Sequence, residues 1–439
     1  MGVATTASEV DASSQGGSAV PRILYVSGSF GLGHVTRDLS IARQLRAAAP
    51  GMEILWMAGE PAKSYLVQAG EALLPSGEAY ESDTESAESA ASAGGVNLFR
   101  YLMRARRLWA NNAKVFADVV AREHFDAVVA DEVYEVGVAL IQRKFEMPMP
   151  LVMIYDFMGL DAMTRSPFER LGVQFWNWMW SRDAEIFQGG RHRALFVGEA
   201  EDIPDRSLGW RLPNRRDHAL RNYHFLGYVL TFDPAEVRDR RMLRAALGYG
   251  NEPVVVASIG GTAIGKRLLQ ACAQAFPIAR RAVPSLQMTL VGGPRLSPAA
   301  LDVPKGIRVE GFVPRLYRHF AACDLAIVQA GGTTTLELTA LRRPFVYVPM
   351  DGQCEQEIVV SGRLARHGAG IRLPWAETTP ERLAELIVEN VGKEATWRDI
   401  PGDGARAAAN HILAAIREST SSISLSGLEA SRTTASLEA

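Results

Sequence analysis

Two rhythms of apolar and polar positions alternate from Arg22 onward. Short apolar runs read as buried strands: Arg22-Ile23-Leu24-Tyr25-Val26, then Glu53 to Ala58, Ala72 to Pro75, Ala127 to Asp131, Pro150 to Asp156 and Ala194 to Gly198. Stretches with apolar residues at helical spacing lie between them. Asp38 to Ala48 carries Leu39, Ala42 and Leu45. Further helices are predicted over Ala62–Ala69, Val96–Arg122, Tyr134–Lys144 and the aromatic-rich Phe168–Phe187. After a polar interval the pattern restarts. Strands are predicted over Pro253–Ile259, Leu286–Val291, Ile307–Phe312, Leu325–Gln329 and Phe345–Pro349, with helices from Lys266 and over Leu316–Ala322 and Leu336–Leu341. Such alternation predicts an α/β fold in which helices cover both faces of a parallel sheet, here twice in tandem. Two doubly wound, Rossmann-like halves place the default ligand site in the cleft between them.

The punctuation gives the boundaries. Residues 1–20 are small and polar and read as a disordered tail without the apolar centre of a signal peptide. Residues 21–232 form the amino-terminal domain, within which Ser82 to Gly95 is an acidic surface loop and Arg206 to Asn222 is loop-like. Residues 233–252 contain Pro234, Gly248, Gly250 and Asn251 and read as a linker, 253–402 as the second domain and 403–418 as a terminal helix. From 419 to 439 the chain is rich in Ser and Thr and reads as a second disordered tail.

Composition narrows the function classes. A net charge of −2 gives no case for a nucleic-acid partner. The three cysteines, Cys272, Cys323 and Cys354, lack metal-ligand spacing and suit a reducing cytoplasm. No run is long and apolar enough for a transmembrane helix. One feature hints at a membrane surface or an apolar acceptor pocket: arginines 100, 104, 106 and 107 share a helix with Leu98, Phe99, Tyr101, Leu102, Leu108 and Trp109, and Trp176, Trp178 and Trp180 follow. A core face with solvated arginines explains the same residues.

Candidate chemistry sits in the turns. Ser27 to Arg37 is a strand–turn–helix junction whose Gly28, Gly31 and Gly33 free the backbone and admit another molecule. The turn delivers His34 to the mouth of the cleft, with a side chain suited to proton transfer near neutrality. Gly331-Gly332-Thr333-Thr334-Thr335 follows a strand and opens a helix, and its unpaired amides favour a negative group. Glu337, within the first turns of that helix, suits a vicinal diol such as a ribose. Gly260-Gly261-Thr262 and Asp351 to Gln356 end strands at the same edge.

Together these stretches resemble GT-B nucleotide-sugar glycosyltransferases of the family 28 type, the family of the bacterial N-acetylglucosaminyl transferase of peptidoglycan precursor synthesis. The resemblance runs from about Arg22 to Glu418. It implies that Gly31, Gly33 and His34 belong to an acceptor loop, and that Gly261 and Thr262 form a donor-side turn. Phe312 and Val313 would meet the base. Gln329, Gly331, Gly332, Thr333, Thr334 and Glu337 would take the diphosphate and ribose, and Glu355 and Gln356 the sugar hydroxyls. Related transferases pair the loop histidine with a downstream aspartate, which implies Asp131 behind His34, with Glu132 as its neighbouring rival. An N-cap is the plainer role for Asp131. Gln329 stands where related natural-product and plant enzymes carry histidine. The implied activity is inverting, metal-independent transfer of a sugar from a nucleotide diphosphate sugar, expected to be UDP-linked, to a hydroxyl of a lipid or small-molecule acceptor. No cofactor is implied beyond the donor as co-substrate. The implied location is the cytoplasm, with peripheral contact at the inner face of a membrane as an extension. Two alternatives share these features: a UDP-sugar hydrolase of the nonulosonate-synthesis type, through Gly33-His34-Val35-Thr36-Arg37-Asp38, and a non-catalytic nucleotide-sugar-binding protein. A nucleotide-sugar 2-epimerase is a more distant one.

Overall fold

The computed structural model describes residues 20–28, 32–82, 91–92, 95–96, 98–261 and 264–437. In the amino-terminal half, strands β1 (Arg22–Val26), β2 (Glu53–Met57), β3 (Ala72–Leu73), β4 (Ala127–Asp131), β5 (Leu151–Tyr155), β6 (Arg193–Phe196) and β7 (Tyr223–Phe225) form one sheet in the order 3-2-1-4-5-6-7. Every pairing is parallel. The carboxyl-terminal half repeats the order. Strands β8 (Val254–Ser258), β9 (Gln287–Val291), β10 (Ile307–Glu310), β11 (Leu325–Gln329), β12 (Phe345–Val348) and β13 (Ile371–Arg372) run 10-9-8-11-12-13, again all parallel.

Strands buried on both faces explain why the sequence reads as continuous apolar runs rather than alternation. In β1, Ile23 and Tyr25 join one core with Val35, Ile41, Ala42 and Leu45 of helix α1 (Gly33–Ala48), while Leu24 and Val26 join the core on the opposite face. The second sheet divides likewise, with Val255 and Ala257 on one side and Val254 and Val256 on the other.

Three stretches differ from the sequence reading. Residues 233–252 are not a free linker. They form a short turn at Pro234–Val237 and a helix at Arg240–Ala246, with Phe232, Val237, Leu243 and Tyr249 buried in the carboxyl-terminal core. Arg206 to Asn222 contains the helix Arg215–Asn222, which starts where the Asn214 side chain accepts from the backbone N–H of Asp217. The last helix runs Gly404–Leu437, past the expected start of the tail at 419, and Ala408, Ala409, Ile412 and Ala415 pack it onto the first domain. The chain therefore crosses between domains twice. Residues 1–19 and most of 82–95 lie outside the described residues, and so do the side chains of 98–104.

Candidate active site

The carboxyl ends of the two sheets face one cleft. Leu32, Gly33, His34 and Asp156 line it from the first domain. Ser258 to Gly261, Gln329, Gly331 to Thr334, Met350, Gln353, Glu355 and Gln356 line it from the second. Of the residues singled out in the sequence, Gly33, His34, Gly261, Gln329, Gly331, Gly332, Thr333, Thr334, Glu355 and Gln356 thus share one space. Gly31 and Thr262 lie outside the described residues.

His34 is the second residue of α1, and glycines on both sides set its position. A Cβ at Gly28 would lie 2.7 Å from the Asp131 carbonyl oxygen and 3.2 Å from the imidazole. One at Gly33 would lie 2.7 Å from Thr333 Oγ1, so the two domains touch where only a glycine fits. His34 Nδ1 is 3.4 Å from Asp131 Oδ2, and Nε2 is 3.6 Å from Glu132 Oε2. Glu132 has φ 51°, a left-handed conformation that costs a non-glycine residue and aims its carboxylate at the ring.

Arg37, one helical turn after His34, organises this corner. It is buried, and its guanidinium grips Asp131 with two bonds, Nε to Oδ2 at 3.1 Å and Nη2 to Oδ1 at 2.5 Å. Nη1 donates to Asp156 Oδ2 at 2.6 Å, and Nη2 lies 2.9 Å from His34 Nδ1. Arginine has no acceptor atom, so Nδ1 accepts in that contact, and a neutral ring bonded this way carries its proton on Nε2. Asp131 is therefore shared between Arg37 and His34. Burial works against a charged imidazole, but the Asp131 carboxylate outweighs it and raises the His34 pKa. Burial also works against an ionised Asp131, but Arg37 and His34 hold its carboxyl below the usual range. Asp156 likewise sits at about 2, burial being overcome by Arg37. Glu132 is pushed well up by burial and by Asp156. Asp38 accepts from Ser27 Oγ at 2.6 Å and the Tyr25 hydroxyl at 3.0 Å, and burial and Asp131 push its pKa well up.

Across the cleft, helix α3 (Gly332–Ala340) follows β11 with Gly331 as its cap residue. Nothing lies within 4 Å of a Cβ built on Gly331, so its approach is open. The first amides of α3 have no partner inside the helix. Arg363, also buried, donates to the Gly332 carbonyl at 3.2 Å and adds a cation beside this helix start. Burial and Asp156 push Glu355 up to about 7. Gln356 Oε1 accepts from the Met350 backbone at 3.0 Å.

Three expected donor residues stand apart from this space. Phe312 meets the ring of Tyr65 edge-on at 5.8 Å, from the other domain. Val313 packs against the second core. Glu337 is buried, accepts from the Thr231 hydroxyl, and is pushed up to about 7 by burial. The sequence reading missed Arg37, Asp156 and Arg363. For Arg37 the signal was its place three residues after His34 in the Gly-His-x-x-Arg-Asp turn.

Known proteins match this arrangement at two levels. Residues 256–400 match the glycosyltransferase family 28 C-terminal domain. An uncharacterised glycosyltransferase of Methanopyrus kandleri is 25% identical over 190 residues, 43% of this chain and 53% of that protein. The UDP-N-acetylglucosamine–N-acetylmuramyl-(pentapeptide) pyrophosphoryl-undecaprenol N-acetylglucosamine transferase of Methylibium petroleiphilum is 32% identical over 140 residues, 30% of this chain and 37% of that enzyme. The chain thus spans between about a third and about half of the length of these curated relatives. The crystal structure of the kitacinnamycin glycosyltransferase superposes over 91% of this chain and 94% of its own, with a TM-score of 0.55 at 17% identity. The chain accordingly has the two-domain GT-B fold of glycosyltransferases, and its second domain matches the carboxyl-terminal domain of glycosyltransferase family 28.

Proposed function

We propose that this chain is an inverting glycosyltransferase that moves a sugar from a nucleotide diphosphate sugar, UDP-linked by preference, to an acceptor hydroxyl. The observation that carries this reading is the single cleft shared by His34 and the open start of α3. The acceptor hydroxyl loses its proton to His34 Nε2 as it attacks the anomeric carbon. For that, Nδ1 must hold the ring proton and turn it toward Asp131 Oδ2, which already lies 3.4 Å away, in place of the Arg37 contact. The bond to the diphosphate breaks as the new one forms. The amides of Gly332, Thr333 and Thr334 and the α3 dipole then stabilise the departing charge without a metal. The acceptor is a lipid-linked or small-molecule hydroxyl, the former being the kind named for the Methylibium petroleiphilum relative.

Turnover of a panel of nucleotide sugars with lipid and small-molecule acceptors tests this reading. His34→Ala should abolish transfer, by about a hundredfold or more, while calorimetric affinity for the nucleotide diphosphate stays within about twofold. Near-parental transfer by that variant removes His34 from the chemistry. The turn Gly33 to Asp38 keeps the hydrolase alternative in play. Rapid sugar release by the parent protein with no acceptor present would select it.

A further inference from the structure

We infer that Glu132 is a positioning residue that sets the tautomer of His34: as a neutral carboxyl it keeps Nε2 bare, the form in which the ring can act as a base. The inference rests on the base role proposed for His34 and adds the group that readies it.

The backbone places Glu132 there under strain. Its N–H bonds to the Ile154 carbonyl at 3.0 Å, which extends β4 by one residue, and helix α2 (Tyr134–Ile141) begins two residues later. The chain turns between them at φ 51° on a glutamate, where glycine would be free of strain. Strain of this kind persists where the surroundings enforce it, and it gathers at functional sites. The side chain is 9% exposed. Its Oε1 accepts from the Asp156 N–H at 3.2 Å, which leaves Oε2 to face the ring and to carry a proton.

Both nitrogens of His34 can therefore bond in two ways. Nδ1 has Arg37 Nη2, which only donates, at 2.9 Å and Asp131 Oδ2, which accepts, at 3.4 Å. Nε2 has Glu132 Oε2, which accepts when ionised and donates when protonated. With Glu132 ionised, Nε2–H donates to Oε2 and Nδ1 accepts from Arg37. With Glu132 neutral, Oε2–H donates to Nε2 and Nδ1–H donates to Asp131. The second arrangement is the tautomer that general-base catalysis needs. Passing from the first to the second takes up one proton: Nδ1 gains it from solvent, and Nε2 passes its own to Oε2. An acceptor hydroxyl then replaces Oε2–H at Nε2. The long contacts to Asp131 and Glu132 are of the kind that tighten when substrate is bound.

The surroundings favour the neutral form. Burial and Asp156 push the Glu132 pKa well up against the pull of Arg37, and Asp131 adds to the rise. The phenols of Tyr134 and Tyr155 stay neutral, burial pushing both pKa values well up. Across the cleft stands Glu355, which burial and Asp156 push up to about 7.

Histidine-selective nitrogen NMR of the full chain reads the tautomer with no substrate present, the His34 signals being assigned by their loss in His34→Gln. In the parent the neutral ring should carry its proton on Nδ1 and pass to Nε2–H as rising pH ionises Glu132. Glu132→Gln should hold the Nδ1–H form to the top of the range, because its amide cannot ionise and donates to Nε2. Glu132→Ala should show Nε2–H throughout, set by Arg37. In transfer assays the parent rate should fall on the alkaline side. Glu132→Ala should lower kcat by about tenfold or more while KM for the donor stays within about twofold. Glu132→Gln should recover much of the rate and lose the alkaline fall. A parent ring that stays Nε2–H at every pH, or a titration unchanged by Glu132→Gln, overturns the inference. A ring that titrates as expected in a protein without transfer activity removes the proposed function and leaves the control of the tautomer standing.

Discussion

Arg37→Ala should be the most destabilising single change in the cleft. The side chain is 5% exposed and is the cation gripping the buried Asp131 and the largely buried Asp156. Truncation leaves Asp131 wholly buried and beside Asp38, another carboxyl of the same corner. Breaking a buried pair by removing one partner costs about 3–5 kcal/mol. In a domain of this size each kcal/mol lowers the melting temperature by roughly 2–4 °C, so a loss of roughly 6–20 °C is expected near neutrality.

The pH dependence separates this cause from simple loss of packing. In the parent, Asp131 and Asp156 have depressed pKa values, so their pairing stabilises above the ordinary carboxylate range and fades as pH falls toward about 2. In the variant burial dominates, both values rise above those of the unfolded chain, and ionisation then opposes folding. Acidification toward about pH 5 protonates the stranded carboxyls and should narrow the gap between variant and parent. Urea unfolding followed by tryptophan fluorescence at both pH values measures this. Arg37→Lys should fall between the two, because an ammonium group supplies the charge but not the fork. A variant that melts within a degree of the parent, or a gap that does not move with pH, would refute the assignment.

Two further outcomes follow from the domain contacts. Gly33→Ala should leave each domain folded but hold the cleft open, since its Cβ would meet Thr333 Oγ1 at 2.7 Å; transfer should drop steeply, and adding Thr333→Ala should recover much of it. Glu337→Gln should have opposite effects on stability and binding. The parent carboxyl sits at about 7 in the fold against its ordinary value of 4.5, so stability is lost as pH rises between them. The variant should therefore melt higher above pH 7, by on the order of 3 kcal/mol at most, and match the parent near pH 4, while its calorimetric affinity for the nucleotide diphosphate falls.

The strands were legible because both sheets are parallel and buried on both faces, which writes them as unbroken apolar runs such as Leu24 to Val26 and Val254 to Ala257. The helix at Arg240–Ala246 was not, because Pro234, Gly248 and Gly250 frame only seven residues. Its burial depends on Leu243 and Tyr249 meeting a sheet whose strands lie further along the chain. The glycine turns announced the cleft, since backbone approach is a local demand. The role of Arg37 was hidden because its partners stand 94 and 119 residues away. Tertiary pairing at that range leaves no periodic trace. The tryptophans make the same point. Trp176, Trp178 and Trp180 read as one cluster, yet only the fold separates the exposed Trp178 from Trp180, which packs against Tyr134 and Phe157.

Several residues expected to hold a donor also make contacts between the two domains. Glu337 takes its hydrogen bond from Thr231, at the crossover between the halves. Phe312 meets Tyr65 of the first domain, and Gly33 abuts Thr333. Elsewhere between the domains Arg366 ties Asp202 at 2.6 Å and Glu199 at 2.7 Å. A nucleotide entering on the proposed reading must displace the first three contacts, while the last stays out of its way. Binding on that reading exchanges interdomain contacts for ligand contacts. Burial keeps the Glu337 carboxyl at about 7. Glu337 is costly to bury charged, and among the described residues the Thr231 hydroxyl is what holds it, a contact that the diol of the proposed donor would replace.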